Sequence, residues 1–91
     1  MYYVYTLESL VDFSYYIGYT KYLDIRILQH NSGKSLYTKR KMPWKLVYRE
    51  EYENRSEAIK REKFLKAQRN KNFYQRLIKE FTVVNSSSSN K

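Results

Sequence analysis

Tyr2-Tyr3-Val4-Tyr5-Thr6-Leu7 and Ser14-Tyr15-Tyr16-Ile17-Gly18-Tyr19-Thr20 are two short runs of β-branched and aromatic residues, separated by the six residues ESLVDF. Runs of this kind read as strands, and their separation reads as an antiparallel hairpin with a moderately long loop. Alternate strand positions point to opposite faces, so Tyr3 shares a side with Tyr5, and Tyr16 with Ser14 and Gly18. A glycine inside a strand marks a place where another group comes close to the backbone.

Working outward, Thr20 is placed to cap a helix that runs to about Asn31, with Asp24 in its first turn and Asn31 and Gly33 as the stop. After a basic loop through Pro43, the run WKLVYREEY alternates like a half-buried strand. It puts Trp44, Leu46 and Tyr48 on one face and Lys45, Val47 and Arg49 on the other. Asn54 with Glu57 three residues later resembles a capping box, and EAIKREKFLKAQ supplies strong helix formers. A break at Asn70–Asn72 precedes a short third helix carrying Phe73, Leu77, Ile78 and Phe81 at helical spacing. The expectation is an α+β domain over residues 1–81, a small three-stranded antiparallel sheet flanked by about three helices. Residues 82–91, ending in the low-complexity run VNSSSSNK, are expected to form a disordered polar tail. No internal repeat is present.

The chain has 91 residues, enough for one core and too few for two. Its 42% hydrophobic and 18% aromatic content places it among folded chains. A formal net charge of +9 is clustered. Lys34, Lys39, Arg40, Lys41 and Lys45 fall in a stretch without acids between Asp24 and Glu50, and a second cluster runs from Arg55 to Lys79. Such a field favours a polyanion through counterion release and steering, although charge alone does not choose between DNA, RNA and an acidic membrane surface. The bland reading is a solvated basic surface. The absence of cysteine excludes disulfides and thiolate metal sites, and it fits a reducing compartment. No run is apolar enough to span a membrane and the start lacks a signal-peptide pattern, so the cytoplasm is the expected location.

Three polar residues stand where core-facing stripes should be apolar. Leu23, Arg26, Ile27 and His30 share a helical face, which brings an arginine and the one histidine to the border of the core. Interfacial packing is the bland reading for that pair. Glu62 shares a face with Ala58, Ile59 and Leu65. A carboxylate there needs a cation, either Arg26 in a structural salt bridge or a divalent metal. The eleven tyrosines are too many to be all functional, and most must pack.

Taken together, the ordered set YVY, YIG, YT, R-x-x-x-H, PWKLVY and EAIKRE resembles the GIY-YIG nuclease superfamily over roughly residues 2–80. It is most similar to the small single-domain bacterial members, which look like the catalytic domain of structure-specific resolving nucleases. The first motif corresponds to Tyr3-Val4-Tyr5, with Tyr3 in place of the glycine that names it, and the second to Tyr16-Ile17-Gly18. Arg26, His30 and Glu62 match the helix-one arginine, the histidine four residues on and the metal-binding glutamate. After Glu62 no asparagine aligns with the one used by some restriction-enzyme relatives.

The resemblance implies a metal-dependent endonuclease acting on DNA, selective for branches, flaps or nicks and suited to DNA repair. One Mg²⁺ or Mn²⁺ would sit on Glu62, and Arg26 would donate to a non-bridging phosphate oxygen. Tyr5 would act as general base with His30 relaying its proton, given a nearby cation to favour phenolate over the usual pKa of ~10. Tyr16 would orient water or phosphate; which phenol is the base stays open. Tyr37 and Thr38 of the basic loop are candidates for nucleic-acid backbone contacts or for supporting the site, and Lys39, Arg40, Lys41, Arg61 and Lys66 are candidates for nucleic-acid contacts. Sequence-specific cutting would need a protein partner or an oligomer. The competing classes are a nucleic-acid-binding module without catalysis and an RNA-directed nuclease.

Overall fold

The computed structural model describes residues 1–89, with side chains described through residue 83. Three strands, β1 (Tyr2–Ser9), β2 (Tyr15–Thr20) and β3 (Trp44–Tyr52), form one antiparallel sheet in the order β2-β1-β3. The helices are α1 (Leu23–Asn31), α2 (Arg55–Gln68) and α3 (Lys71–Ser89), with one turn of 3-10 helix at Lys39–Lys41. The domain is thus α+β, as the sequence implies. No helix among the described residues is long and apolar enough to cross a membrane.

Because β1 is the central strand, both of its faces are covered, and Val4, Tyr5, Thr6 and Leu7 are buried in unbroken succession. Tyr5 and Leu7 join Leu23 of α1 and Trp44 in one cluster, with Tyr16, Ile27 and Leu46 against it. Val4 and Ile17 face the other way, onto Ala58 and Leu65 of α2 and Tyr74 of α3. The sheet is a partition between two small cores.

The strand-three expectation is corrected in one respect. Thr6 pairs with Tyr48 but Leu7 pairs with Leu46, so Val47 is the extra residue of a β-bulge. The bulge changes the phase of the strand. Trp44 and Leu46 point to the α1 side, whereas Tyr48 packs on Phe81 of α3 at 5.3 Å between ring centroids. On that second face Glu50 receives a two-point contact from Arg61, with Nε–Oε1 at 2.9 Å and Nη2–Oε2 at 2.9 Å, together with the hydroxyls of Tyr48 and Tyr52. These partners hold the Glu50 carboxyl below its usual range against the opposing effect of its own burial.

The helix ends follow elementary capping chemistry with one exception. Asn54 caps α2 by accepting from the Glu57 N–H at 2.9 Å, Arg69 ends it in the left-handed region at φ 45°, and Asn70 accepts from the Phe73 N–H to start α3. Thr20, however, is not the cap of α1; that position is Tyr22. The Thr20 hydroxyl accepts from the Tyr22 N–H at 3.0 Å in a turn before the helix, because the chain leaves β2 two residues too early for it to cap. Helix α3 continues to Ser89, past the expected end at Phe81 and through most of the stretch expected to be disordered. No glycine or proline interrupts Thr82 to Ser89. The last two residues of that expected tail, 90 and 91, lie outside the described residues.

Candidate active site

Tyr5 sits at the middle of β1, opposite Gly18 of β2 and on the α1 side of the sheet. A Cβ on residue 18 would lie 2.7 Å from the Tyr5 hydroxyl and 2.9 Å from its Cζ, so the glycine is the space that the phenol occupies. From α1, His30 turns inward with 2% exposure and meets the Tyr5 hydroxyl through Nε2 at 3.1 Å. Its other ring nitrogen, Nδ1, meets the Thr38 hydroxyl at 2.8 Å. Thr38 is fully buried, and its carbonyl accepts from the Trp44 indole N–H at 2.9 Å. Asn31 fixes Trp44 in turn, accepting from its backbone N–H at 2.6 Å and donating to its carbonyl at 2.9 Å. A continuous chain of hydrogen bonds therefore runs from the middle of the sheet to the basic loop.

Electrostatics set the protonation of this chain. Burial, followed by the neighbouring Tyr16, raises the Tyr5 pKa; Arg26 opposes the shift and Glu62 adds to it. Among the protein's own groups, burial outweighs the opposing effect of Arg26 on Tyr5. Burial and then Arg26 lower the His30 pKa, which favours the neutral imidazole. A protonated phenol beside a neutral imidazole assigns the directions: Tyr5 donates to Nε2, and Nδ1–H donates to Thr38.

Tyr16 lies between these residues and solvent, its ring centroid 4.8 Å from His30, 6.3 Å from Tyr5 and 6.0 Å from Tyr37. Arg26 is exposed on α1, yet close enough to act on both Tyr5 and His30. Glu62 is 14% exposed on α2 and pairs with Lys66 at 3.5 Å, so its ion-pair partner is this lysine and not Arg26. Because β2 is an edge strand, one groove wraps round it from the α1 side to the α2 side. Its lining is Tyr15, Tyr16, Ile17, Tyr37, Lys66 and Tyr74. Tyr16, Arg26, His30 and Glu62, far apart in sequence, thus all lie near enough to bear on Tyr5.

The structure separates the expected nucleic-acid contacts. Lys39 and Arg40 are exposed, and Lys66 lines the groove. Thr38 points inward and supports His30, so its side chain is removed from the contacting set. Lys41 is tied to Asp12 at 3.2 Å on the β1–β2 loop, and Ser9 donates to its carbonyl at 2.7 Å. Arg61 is committed to Glu50 on the opposite face, because one turn of α2 presents Arg61 and Glu62 in different directions. Sequence reasoning missed the clamp from Asn31 to Trp44. Its only signal was an asparagine at a helix end, which was read as a stop.

Among the described residues no cluster of three His, Asp or Glu side chains could hold a metal. The donor set fits a divalent ion bound another way. One carboxylate, with phosphate and water oxygens for the remaining positions, is a mode open to Mg²⁺, which sheds water reluctantly.

Comparison with known proteins agrees with this geometry. The family model described as the GIY-YIG catalytic domain matches residues 1–77. A UPF0213 protein of Staphylococcus epidermidis is 50% identical over 52 residues, covering 56% of this chain and 63% of its own length. One from Streptococcus pneumoniae is 45% identical over 65 residues, covering 70% and 65%. The match therefore spans less than two thirds of these relatives. The solution NMR structure of a UPF0213 protein from Bacillus halodurans superposes with a TM-score of 0.54 at 36% identity, covering 87% of this chain and 84% of the other. With its hairpin, its inward histidine and a family match over most of its length, the chain belongs to the GIY-YIG catalytic domain family.

Proposed function

We propose that the chain is a metal-dependent endonuclease that hydrolyses phosphodiester bonds in DNA and selects branched, flapped or nicked substrates. The observation that carries this reading is the buried Tyr5–His30–Thr38 chain, which lies behind Tyr16 on the wall of the groove, with Arg26 and Glu62 near enough to act on Tyr5. Phosphodiester hydrolysis needs an activated water, stabilised phosphoryl charge and help for the leaving oxygen.

Tyr5 meets the first need as one link of a relay. Its hydroxyl takes a proton from water while passing its own to the neutral Nε2 of His30, and Thr38 keeps Nδ1–H pointing away so that Nε2 stays an acceptor. Tyr16 orients the water or the phosphate beside it. Arg26 donates to a non-bridging oxygen, where its planar fork suits phosphate better than an ammonium would. Glu62 would hold one Mg²⁺ or Mn²⁺, which when bound supplies Lewis-acid stabilisation of the phosphoryl oxygens. Lys66 must then release Glu62. Selection by DNA structure is the finer part of this proposal: exposed Lys39, Arg40 and Lys66 suit phosphates, which position a strand without reading its sequence.

The test is incubation of the purified protein with supercoiled plasmid, branched DNA and structured RNA, in Mg²⁺, Mn²⁺ or EDTA, alongside Glu62→Ala and Tyr5→Phe. Branched DNA cut faster than linear duplex, by wild type alone and only with metal, supports the reading. Binding without cleavage by all three proteins would replace it with a binding module, and cleavage confined to RNA would make it an RNA-directed nuclease.

A further inference from the structure

Leu36 and Tyr37 stand at the tip of the basic loop, each 85% exposed. Exposing a large phenol so fully forgoes the apolar burial that stabilises the chain's other aromatics. The next residue is the opposite, since Thr38 is fully buried and is fixed through its side chain to His30 and through its carbonyl to Trp44. Tyr37 is therefore held at a set distance from the candidate site, at the mouth of the groove and 6.0 Å from the Tyr16 ring. Lys39 and Arg40 follow on the same loop, and Lys66 lines the groove below.

We infer that Tyr37, flanked by Leu36, is a stacking platform for one unpaired nucleobase next to the phosphate held at Tyr16 and Arg26. An aromatic face meets any base, and flanking cations neutralise the phosphates on either side; that pairing of surfaces is how single strands are held without sequence preference. A base inside a duplex has both faces covered and cannot use the platform. The selectivity is then for substrates that present an unpaired nucleotide at the cut. This rests on the reading above that the chain acts on nucleic acid.

The experiment uses wild type, Tyr37→Ala, Tyr37→Phe and Lys39→Ala in EDTA. Each binds 2-aminopurine-labelled single-stranded DNA, the RNA of the same sequence, and a fully paired duplex. Melting curves check that each variant keeps the fold. The expected result is quenching of 2-aminopurine by wild type on the single strand, with quench and affinity kept by Tyr37→Phe. Tyr37→Ala loses affinity for the single strand by about tenfold and loses the quench, while its duplex affinity is unchanged. Lys39→Ala weakens single strand and duplex alike, with a shallower salt dependence. The DNA and RNA arms identify which strand supplies the base. If Tyr37→Ala binds and quenches like wild type, the platform is wrong while the nuclease reading stands. If wild type binds none of the three, the nuclease reading fails and the platform with it.

Discussion

Gly18→Ala probes the packing of the site through a single atom. The new Cβ would lie 2.7 Å from the Tyr5 hydroxyl and 2.9 Å from Cζ, whereas ordinary contact begins at 3.4 Å. Tyr5 cannot easily withdraw, because it is 1% exposed and its hydroxyl already rests on His30 at 3.1 Å. Overpacking of this kind costs about 1–3 kcal/mol. Alanine recovers about 0.5–1 kcal/mol over glycine in a strand interior, which leaves a net loss of up to about 2.5 kcal/mol, with a central value of about 1 kcal/mol. In a domain of this size each kcal/mol lowers the melting temperature by about 4–8 °C. Thermal melts of wild type, Gly18→Ala, Tyr5→Phe and the double variant form the assay. Removing the phenolic oxygen takes away the closest contact and leaves the Cζ contact, so the double variant should lose less stability than the two single changes added together. A Gly18→Ala protein that melts at or above wild type, or strict additivity in the cycle, would refute the packing argument.

Thr38→Val keeps the shape of a buried residue but takes away the acceptor for His30 Nδ1–H. Stability should fall by about 1–3 kcal/mol in urea unfolding, and the cleavage rate by about 10- to 100-fold with little change in KM. His30 has a folded pKa below its usual 6.5, so the folded protein takes up its proton less readily than the unfolded chain. The stability this contributes is complete above pH 6.5 and is lost as pH falls toward and through the lowered folded value. Melting temperatures from pH 8 to 5 should therefore decline in wild type and decline less in His30→Gln. Glu50→Gln leaves the Arg61 guanidinium half-buried without its counter-charge. Since both side chains are partly exposed, the loss should be on the order of 2 kcal/mol, read as a lower urea midpoint, with duplex DNA affinity unchanged.

What the sequence made legible followed from local rules. The hairpin showed through β-branched and aromatic runs, α2 through its asparagine cap, and the candidate site through polar residues on faces that should be apolar. Arg26, His30 and Glu62 stood out because a core-facing stripe seldom carries charge without a partner. What stayed hidden depended on contacts between distant segments. The bulge at Val47 reverses the side on which Tyr48 packs, and a period-two pattern contains no trace of it. The depth at which Tyr5 is buried was not legible either, and that burial works against the phenolate a nearby cation would favour. Arg61 and Lys66 read alike as basic residues of one helix, yet one answers Glu50 behind the sheet and the other lines the groove. Thr38 was grouped with its exposed loop neighbours, and only the fold shows it turned inward beneath Tyr37.

The central claim is that Tyr5 and His30 pass a proton during cleavage at a site completed by Glu62. Single-turnover cleavage of an end-labelled branched DNA in Mg²⁺, by wild type, Tyr5→Phe and Glu62→Gln with folds matched by melting curves, tests it most directly. The account predicts rapid cleavage by wild type and none in EDTA. It also predicts a rate lower by at least about 100-fold in Tyr5→Phe, despite unchanged DNA affinity. Cleavage by Tyr5→Phe at the wild-type rate would contradict it.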